Sequence, residues 1–394
     1  MSAKASRILA YCLASLVLLT PALFFLAENG KINAFSTYLL ALLMIPALVL
    51  PDLRKHLAGQ ATAWWATAGL LVYLGISATW AATDRPAAYL GYGLLILAFM
   101  GGCVISTRRF APFQRYLLVT IAGCATLSAL LSIYLHFALP EYQPLPEPRL
   151  FGFGRLENPA IAGMSYGFAV TVTGFLLLQS RDPGSRIIAI ACLSALLTAV
   201  VLTGTRSVWP AIGVSLGIGM ALQFRQRGFW IFAGTVALVG LVGAMALGWE
   251  ELTRRALSFR PEIWSEFIRR TLDANVLFGL GSGTDSHWVH PELTFQHPHS
   301  IFVSAFYFGG MIGLAMLFAL YAACVRGIWR SRVSVTRQLA AMALAYGFMI
   351  GIFDGDNVVT KVNHLWWVLW LPVTWCLCLD DSRSIRTSGD HPAG

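Results

Sequence analysis

Apolar runs of about twenty residues recur along this chain, divided by shorter polar segments. Twelve stand out, at 8–27, 34–50, 61–82, 87–106, 114–139, 159–178, 187–203, 207–223, 229–248, 300–325, 338–353 and 363–379. Each approaches the ~20 residues that a helix needs to cross the hydrocarbon of a bilayer. The runs at 187–203 and 207–223 are short and flank Arg206, so broken or tilted helices are expected there. The pattern predicts an all-α integral membrane protein of about 12 transmembrane helices, a single polytopic domain over residues 1–394. Two long polar stretches interrupt it, at 140–159 and 249–299, and a polar tail occupies 380–394. The tail is expected to lack fixed structure.

Composition agrees. The chain is 57% hydrophobic and 12% charged, about half the charge of an ordinary soluble domain. A net charge of +9 in a soluble protein would suggest nucleic acid. Here its distribution follows topology instead, and no nucleic-acid partner is expected. With the N-terminus placed in the cytoplasm, 17 of the 28 Lys and Arg fall on inner segments and six on short outer loops. The other five lie in the long loop, where the charge rule is weak. Both termini are therefore expected inside, with the loops at 140–159 and 249–299 outside. No cleavable signal peptide is evident. The seven cysteines fall in or beside apolar runs and read as buried thiols with no disulfide framework.

The outer loops concentrate the chemistry. Residues 140–159 are too rich in Pro and Gly for a helix and read as an ordered or lid-like loop. Pro261 suits the first turn of a short helix, with Glu262 and Glu266 early and Arg269 and Arg270 late, as the helix dipole favours. Ile263, Trp264, Phe267 and Ile268 give it one apolar face, expected to lie on the membrane surface. Gly279, Gly281 and Gly283 read as a flexible turn, since no lysine follows to make a phosphate loop. Gly310 and Gly313 read as close helix-packing positions.

Individual residues narrow the function. Arg206 sits between two apolar runs, where an arginine is costly unless paired or solvated; the plain alternative is an anchor snorkelling to the surface. Arg260 opens the predicted surface helix. His299 stands at the membrane edge and can accept a proton near neutral pH. His287, His290, His297, Asp285 and Glu292 fit a metal site only loosely, with no accompanying HExxH or cysteine set. Asp354, Asp356, Lys361, Asn363 and His364 cluster in the last outer loop, either lining a polar site or solvating the loop. No carboxylate pair stands out for glycosidase chemistry. Arginines and a histidine gathered on one face suit a diphosphate: guanidinium forks bind phosphate oxygens, the diphosphate leaves once its charge is held, and the histidine takes the proton of an attacking hydroxyl.

Four sequence features, in order, resemble the family of O-antigen ligases, O-antigen polymerases and bacterial protein O-oligosaccharyltransferases. They are Arg155 before Asn158-Pro159; Leu202-Thr203-Gly204-Thr205-Arg206-Ser207; Arg260 and Trp264 before Gly279 and Gly281; and His297-Pro298-His299-Ser300 before Gly310 and Gly313. Ser300 replaces the asparagine usual in the family. The resemblance covers roughly residues 150–315. It implies a GT-C-type, inverting, metal-independent glycosyltransferase with no cofactor, acting on the periplasmic face of the bacterial inner membrane. The implied donor is an undecaprenyl-diphosphate-linked glycan. For a ligase, the implied acceptor is a sugar hydroxyl of lipid A–core. By carry-over, Arg206 and Arg260 hold the diphosphate and His299 is the general base. Arg155, His297, Lys361 and His364 are possible further substrate contacts. Ligase is the reading adopted. A polymerase differs only in its acceptor, and a protein oligosaccharyltransferase usually carries a larger C-terminal periplasmic part. A transporter or flippase for an anionic lipid is the rival from another class, set back by span interiors nearly free of charge. Oligomeric state is left open.

Overall fold

The computed structural model describes residues 3–58, 60–139, 149–247, 259–289 and 294–379. The predicted tail and residues 140–148 of the 140–159 loop lie outside these residues, as do His290, Glu292, Arg254 and Arg255.

The described chain is helical. The helices are α1 (Ala3–Leu26), α2 (Gly30–Val49), α3 (Pro51–Leu57), α4 (Ala61–Ser77), α5 (Pro86–Arg109), α6 (Phe113–Ala138), α7 (Pro159–Gln179), α8 (Pro183–Thr203) and α9 (Val208–Leu247). After them come α10 (Arg260–Ala274), α11 (Ile301–Arg330), α12 (Val335–Phe353) and α13 (Leu371–Leu377). A two-residue hairpin, β1 (Trp288–Val289) with β2 (Thr294–Phe295), is the single sheet among the described residues. Eight helices are long and apolar enough to cross a membrane, and three apolar stretches, Ala61–Ser77, Val208–Phe224 and Trp366–Leu377, are shorter. The predicted twelve is therefore not reproduced as a count. Helical backbone runs unbroken through Val208–Leu247, so no loop separates the runs predicted at 207–223 and 229–248. Nor is the run before Arg206 short, since α8 has 21 residues.

The core holds α7 at its centre, packed against α6, α8, α9 and α12. Small residues permit the close approach: a Cβ at Gly167 would collide with Val208 and Tyr346, whose hydroxyl donates to Met164 O at 2.7 Å. Trp366, Trp367, Trp370 and Trp375 are fully buried and pack on Phe24, Phe99 and Phe168. All seven thiols are free, but Cys12 is exposed, against the expectation of uniformly buried cysteines.

Two elements carry the site and differ from their sequence readings. First, α11 breaks at Gly310, which adopts φ 62°, ψ −161°, a region open in practice only to glycine. A break inside a membrane helix strands backbone groups that lipid cannot satisfy. The 276–281 segment supplies their partners. Leu280 and Gly281 N–H donate to the Tyr307 and Phe308 carbonyls at 2.9 Å each, and Met311 N–H donates to Val276 O at 2.9 Å. The glycines at 279, 281 and 283, all at positive φ, are thus pinned to α4, α5 and α11 rather than forming a flexible turn. Ser282 N–H also donates to Ser77 Oγ at 2.9 Å. Gly310 is a hinge point of the fold, not simply a packing position.

Second, α10 forms where Pro261 predicts it, but its apolar face meets protein. Ile263 and Phe267 are buried against Tyr307 and Phe308 of α11. Only Ile268, at the margin of that face, remains exposed. Glu266 bonds Arg269 and Arg270, and Arg270 reaches His287 O at 3.0 Å. The predicted membrane-surface helix is instead a brace that fixes where Arg260 begins.

Candidate active site

Three chain segments distant in sequence meet at one end of the helix assembly. The loop between α8 and α9 carries Arg206. It starts at Gly204, which caps α8 in the left-handed conformation at φ 64°. Arg149, not singled out from sequence, docks on this loop through Nε to Thr203 O at 2.7 Å. Arg206 is exposed.

Arg260 opens α10 and donates from Nε to Phe353 O, the last carbonyl of α12, at 2.8 Å. Burial lowers the proton affinity of its guanidinium, Asp354 offsets that loss, and the charge of Arg206 adds to it. That mutual influence places Arg206 and Arg260 in one electrostatic neighbourhood. Two cations near each other, one partly desolvated, favour anions close by, and Asp354 is one such anion.

His299 sits before Ser300, the residue that precedes α11. It has φ 52°, the one positive value outside glycine among the described residues. Strain of this kind persists where surrounding structure imposes it, commonly at functional sites. The His297 ring lies beside it, tilted by 44° with ring centroids 3.9 Å apart, and its Nδ1 accepts the His299 N–H at 3.3 Å. Ser300 Oγ donates to Gly351 O at 3.2 Å, so the serine that replaces the family's asparagine ties α11 to α12.

The sequence left Asp354 among five undifferentiated loop residues, and the structure separates it from the rest. It ends α12, is 4% exposed, and lies 3.6 Å from His299 Nδ1. That spacing is a charge contact slightly longer than a hydrogen bond. Burial opposes ionisation of Asp354, but the contact with His299 and the nearby His297 and His364 outweigh it, and the carboxyl is held well below the ordinary range. His297 is lowered by burial and by His299, against the pull of Asp354 and Asp356. One sequence signal pointed to Asp354: an acid at a helix C-terminus opposes the dipole, so another interaction must hold it there.

The segment from Asp354 to Leu365 is not a solvated loop. Asp354, Asn357 and His364 are buried, while Lys361 is exposed. Ser304 Oγ donates to Gly355 O at 3.5 Å and fastens the segment to α11. Buried His364 feels the charges of Asp354 and His297, which places it near the His299–Asp354 pair. Arg155 is held elsewhere, its N–H on Phe24 O at 3.0 Å and its guanidinium against Gly30. No described contact joins Arg155 to His299 or Asp354.

The loosely predicted metal set does not assemble among the described residues: Asp285 and His287 pair with each other on the exposed surface. A different trio is close, since His297, His299 and Asp354 each offer one ligand atom within 4.8 Å of the others. The same three groups bring two imidazoles and one buried carboxylate together.

The family model described as O-Antigen ligase matches residues 188–318, from α8 into α11, and so takes in Arg206, Arg260 and His299. An O-antigen ligase of Pseudomonas aeruginosa strain PAO1 is 27% identical over 380 residues, covering 93% of this chain and 90% of the relative. The chain is thus similar to O-antigen ligases over nearly its whole length. Its eight described helices long and apolar enough to cross a membrane agree with a polytopic membrane protein. Asp354, Lys361 and His364 fall outside the matched segment but within the length aligned to the relative's, given its near-complete coverage.

Proposed function

We propose that this protein transfers a glycan from undecaprenyl diphosphate to a sugar hydroxyl of lipid A–core, on the periplasmic face of the bacterial inner membrane. The observation that carries this reading is the junction at the end of α12, where Arg260 bonds the Phe353 carbonyl and His299 lies 3.6 Å from the carboxylate of the next residue, Asp354. Arg206 and Arg260 hold the donor diphosphate. The acceptor oxygen attacks the anomeric carbon as its proton passes to His299. The bond from that carbon to the diphosphate oxygen breaks, and undecaprenyl diphosphate leaves with both electrons. Asp354 orients the His299 ring and stabilises the imidazolium. A single displacement inverts the anomeric centre and requires no covalent carboxylate intermediate. Charge on the leaving group falls to the two arginines, so the reaction runs without metal or cofactor. Both termini lie in the cytoplasm, as the arginine distribution favours.

The test uses purified protein in detergent with EDTA, undecaprenyl-diphosphate glycan and lipid A–core, comparing wild type with His299→Ala. Glycan attached to core by wild type and lost in the variant is the expected result. Transfer by both removes His299 as base. Elongation of the lipid-linked glycan without transfer to core identifies a polymerase. Transfer abolished by EDTA and restored by a divalent ion would convert the His297–His299–Asp354 trio into a metal centre.

A further inference from the structure

Buried polar atoms without partners gather in the segment that follows Asp354. Asp356 Oδ1 and Asn357 Nδ2 have no hydrogen-bond partner among the described residues. Asn357 is 7% exposed, and its Oδ1 accepts the Val359 N–H at 2.9 Å, which assigns Nδ2 as the unused donor. A buried polar group left unsatisfied costs free energy, so such a pair is completed by water or by a ligand polar group that displaces it. One acceptor beside one donor complements a sugar hydroxyl, which both gives and takes a hydrogen bond.

The surroundings fit a saccharide. Asp356 lies within electrostatic reach of His297 on one side and of Tyr89 on the other. Tyr89 and Tyr92, in the first turns of α5, form an edge-to-face pair at 5.8 Å, both only half-buried. Tyr89 packs over Gly283, where a Cβ would touch its ring. Half-exposed aromatic rings beside a carboxylate offer an apolar platform with a polar edge.

Charge decides which sugar. Asp356 follows Asp354 by two residues, beside the carboxylate 3.6 Å from His299, and its charge reaches His297. An anionic side chain there would repel a diphosphate. In an inverting displacement the attacking hydroxyl must also approach opposite the leaving group. We propose that Asp356 and Asn357, with Tyr89 as platform, form the subsite for the acceptor sugar that presents its hydroxyl to His299. This rests on the transfer reaction proposed above and adds which residues select its acceptor.

The experiment measures binding of two probes to full-length protein in detergent by thermophoresis: de-O-acylated lipid A–core, and undecaprenyl diphosphate. Asp356→Asn keeps the shape and removes the charge; Tyr89→Leu removes the ring. Each is expected to weaken saccharide binding about tenfold, the scale of one charge-assisted hydrogen bond, and to leave undecaprenyl diphosphate unchanged. In the transfer assay, acceptor KM should rise with kcat and its pH profile little moved. Equal weakening of both probes, or none, overturns the subsite, as does a displaced pH profile. Wild type that binds both probes with this selectivity but transfers nothing would sink the reaction and not the subsite.

Discussion

Asp354 Oδ1 lies 3.6 Å from His299 Nδ1, and the two residues come from the facing ends of α12 and α11. Neither end is free to drift. Ser300 and Ser304 bond the backbone at Gly351 and Gly355, and a Cβ at Gly355 would collide with Ile301. In the proposed reaction, Asp354 holds the proton on His299 Nδ1 and leaves Nε2 to act as base.

Replacing Asp354 with asparagine keeps the volume and removes that control. Transfer kcat is expected to fall about a hundredfold or more, by analogy with the loss of an orienting aspartate in a catalytic triad. Donor KM should change little. Single-turnover kinetics with saturating donor check this, and a variant as fast as wild type would remove Asp354 from the mechanism.

Arginine geometry should matter more than charge. Arg260→Lys loses both the Nε contact to Phe353 O and the forked grip on phosphate oxygens. We expect donor KM to rise and transfer to fall about tenfold to a hundredfold, with the same direction for Arg206→Lys. Initial rates across donor concentrations measure it. Full activity in Arg206→Lys would show that Arg206 serves only as an anchor.

Gly310→Ala should destabilise the protein by about 1–3 kcal/mol from backbone strain alone. A further cost comes from collision of the new Cβ with the Leu277 carbonyl. The segment at 276–281 would detach from α11, and α10 with it. A fall in melting temperature accompanied by proteolysis near residues 276–283 is the expected pattern; Gly313→Ala, which lacks the positive φ, should lose less.

Acid should destabilise the fold before it reaches ordinary carboxylates. Burial holds His297 below the usual imidazole range and pushes His364 down to about 4. The unfolded chain therefore binds these protons first, and stability rises with pH wherever it holds more of them. Stability present at neutral pH is lost as pH falls from about 6.5 towards 4. Asp354, also depressed, adds a further loss below about pH 4. Thermal melts across this range check the slope. His364→Asn should flatten its upper part, and a melting temperature constant from pH 7 to 4.5 would contradict it.

The sequence by itself determined the solvent, the element type and most of the chemistry. Twenty-residue apolar runs have few outcomes other than membrane helices, because lipid satisfies no backbone hydrogen bond. Pro261 and the charges after it marked the start and polarity of α10, since helix termini impose local rules. Arg206, Arg260 and His299 were legible because each sits where a charged or titratable group is expensive. Tertiary structure decided which of them meet. Nothing local could show that the carboxylate at the end of α12 serves a histidine 55 positions earlier, nor that Lys361 stays exposed while His364 is buried. The break at Gly310 was equally hidden. A glycine in an apolar helix reads as packing until another segment, here 276–281, is seen to take up the hydrogen bonds that the break releases. Pairings of that kind depend on long-range backbone geometry, which the periodicity of a single segment does not encode.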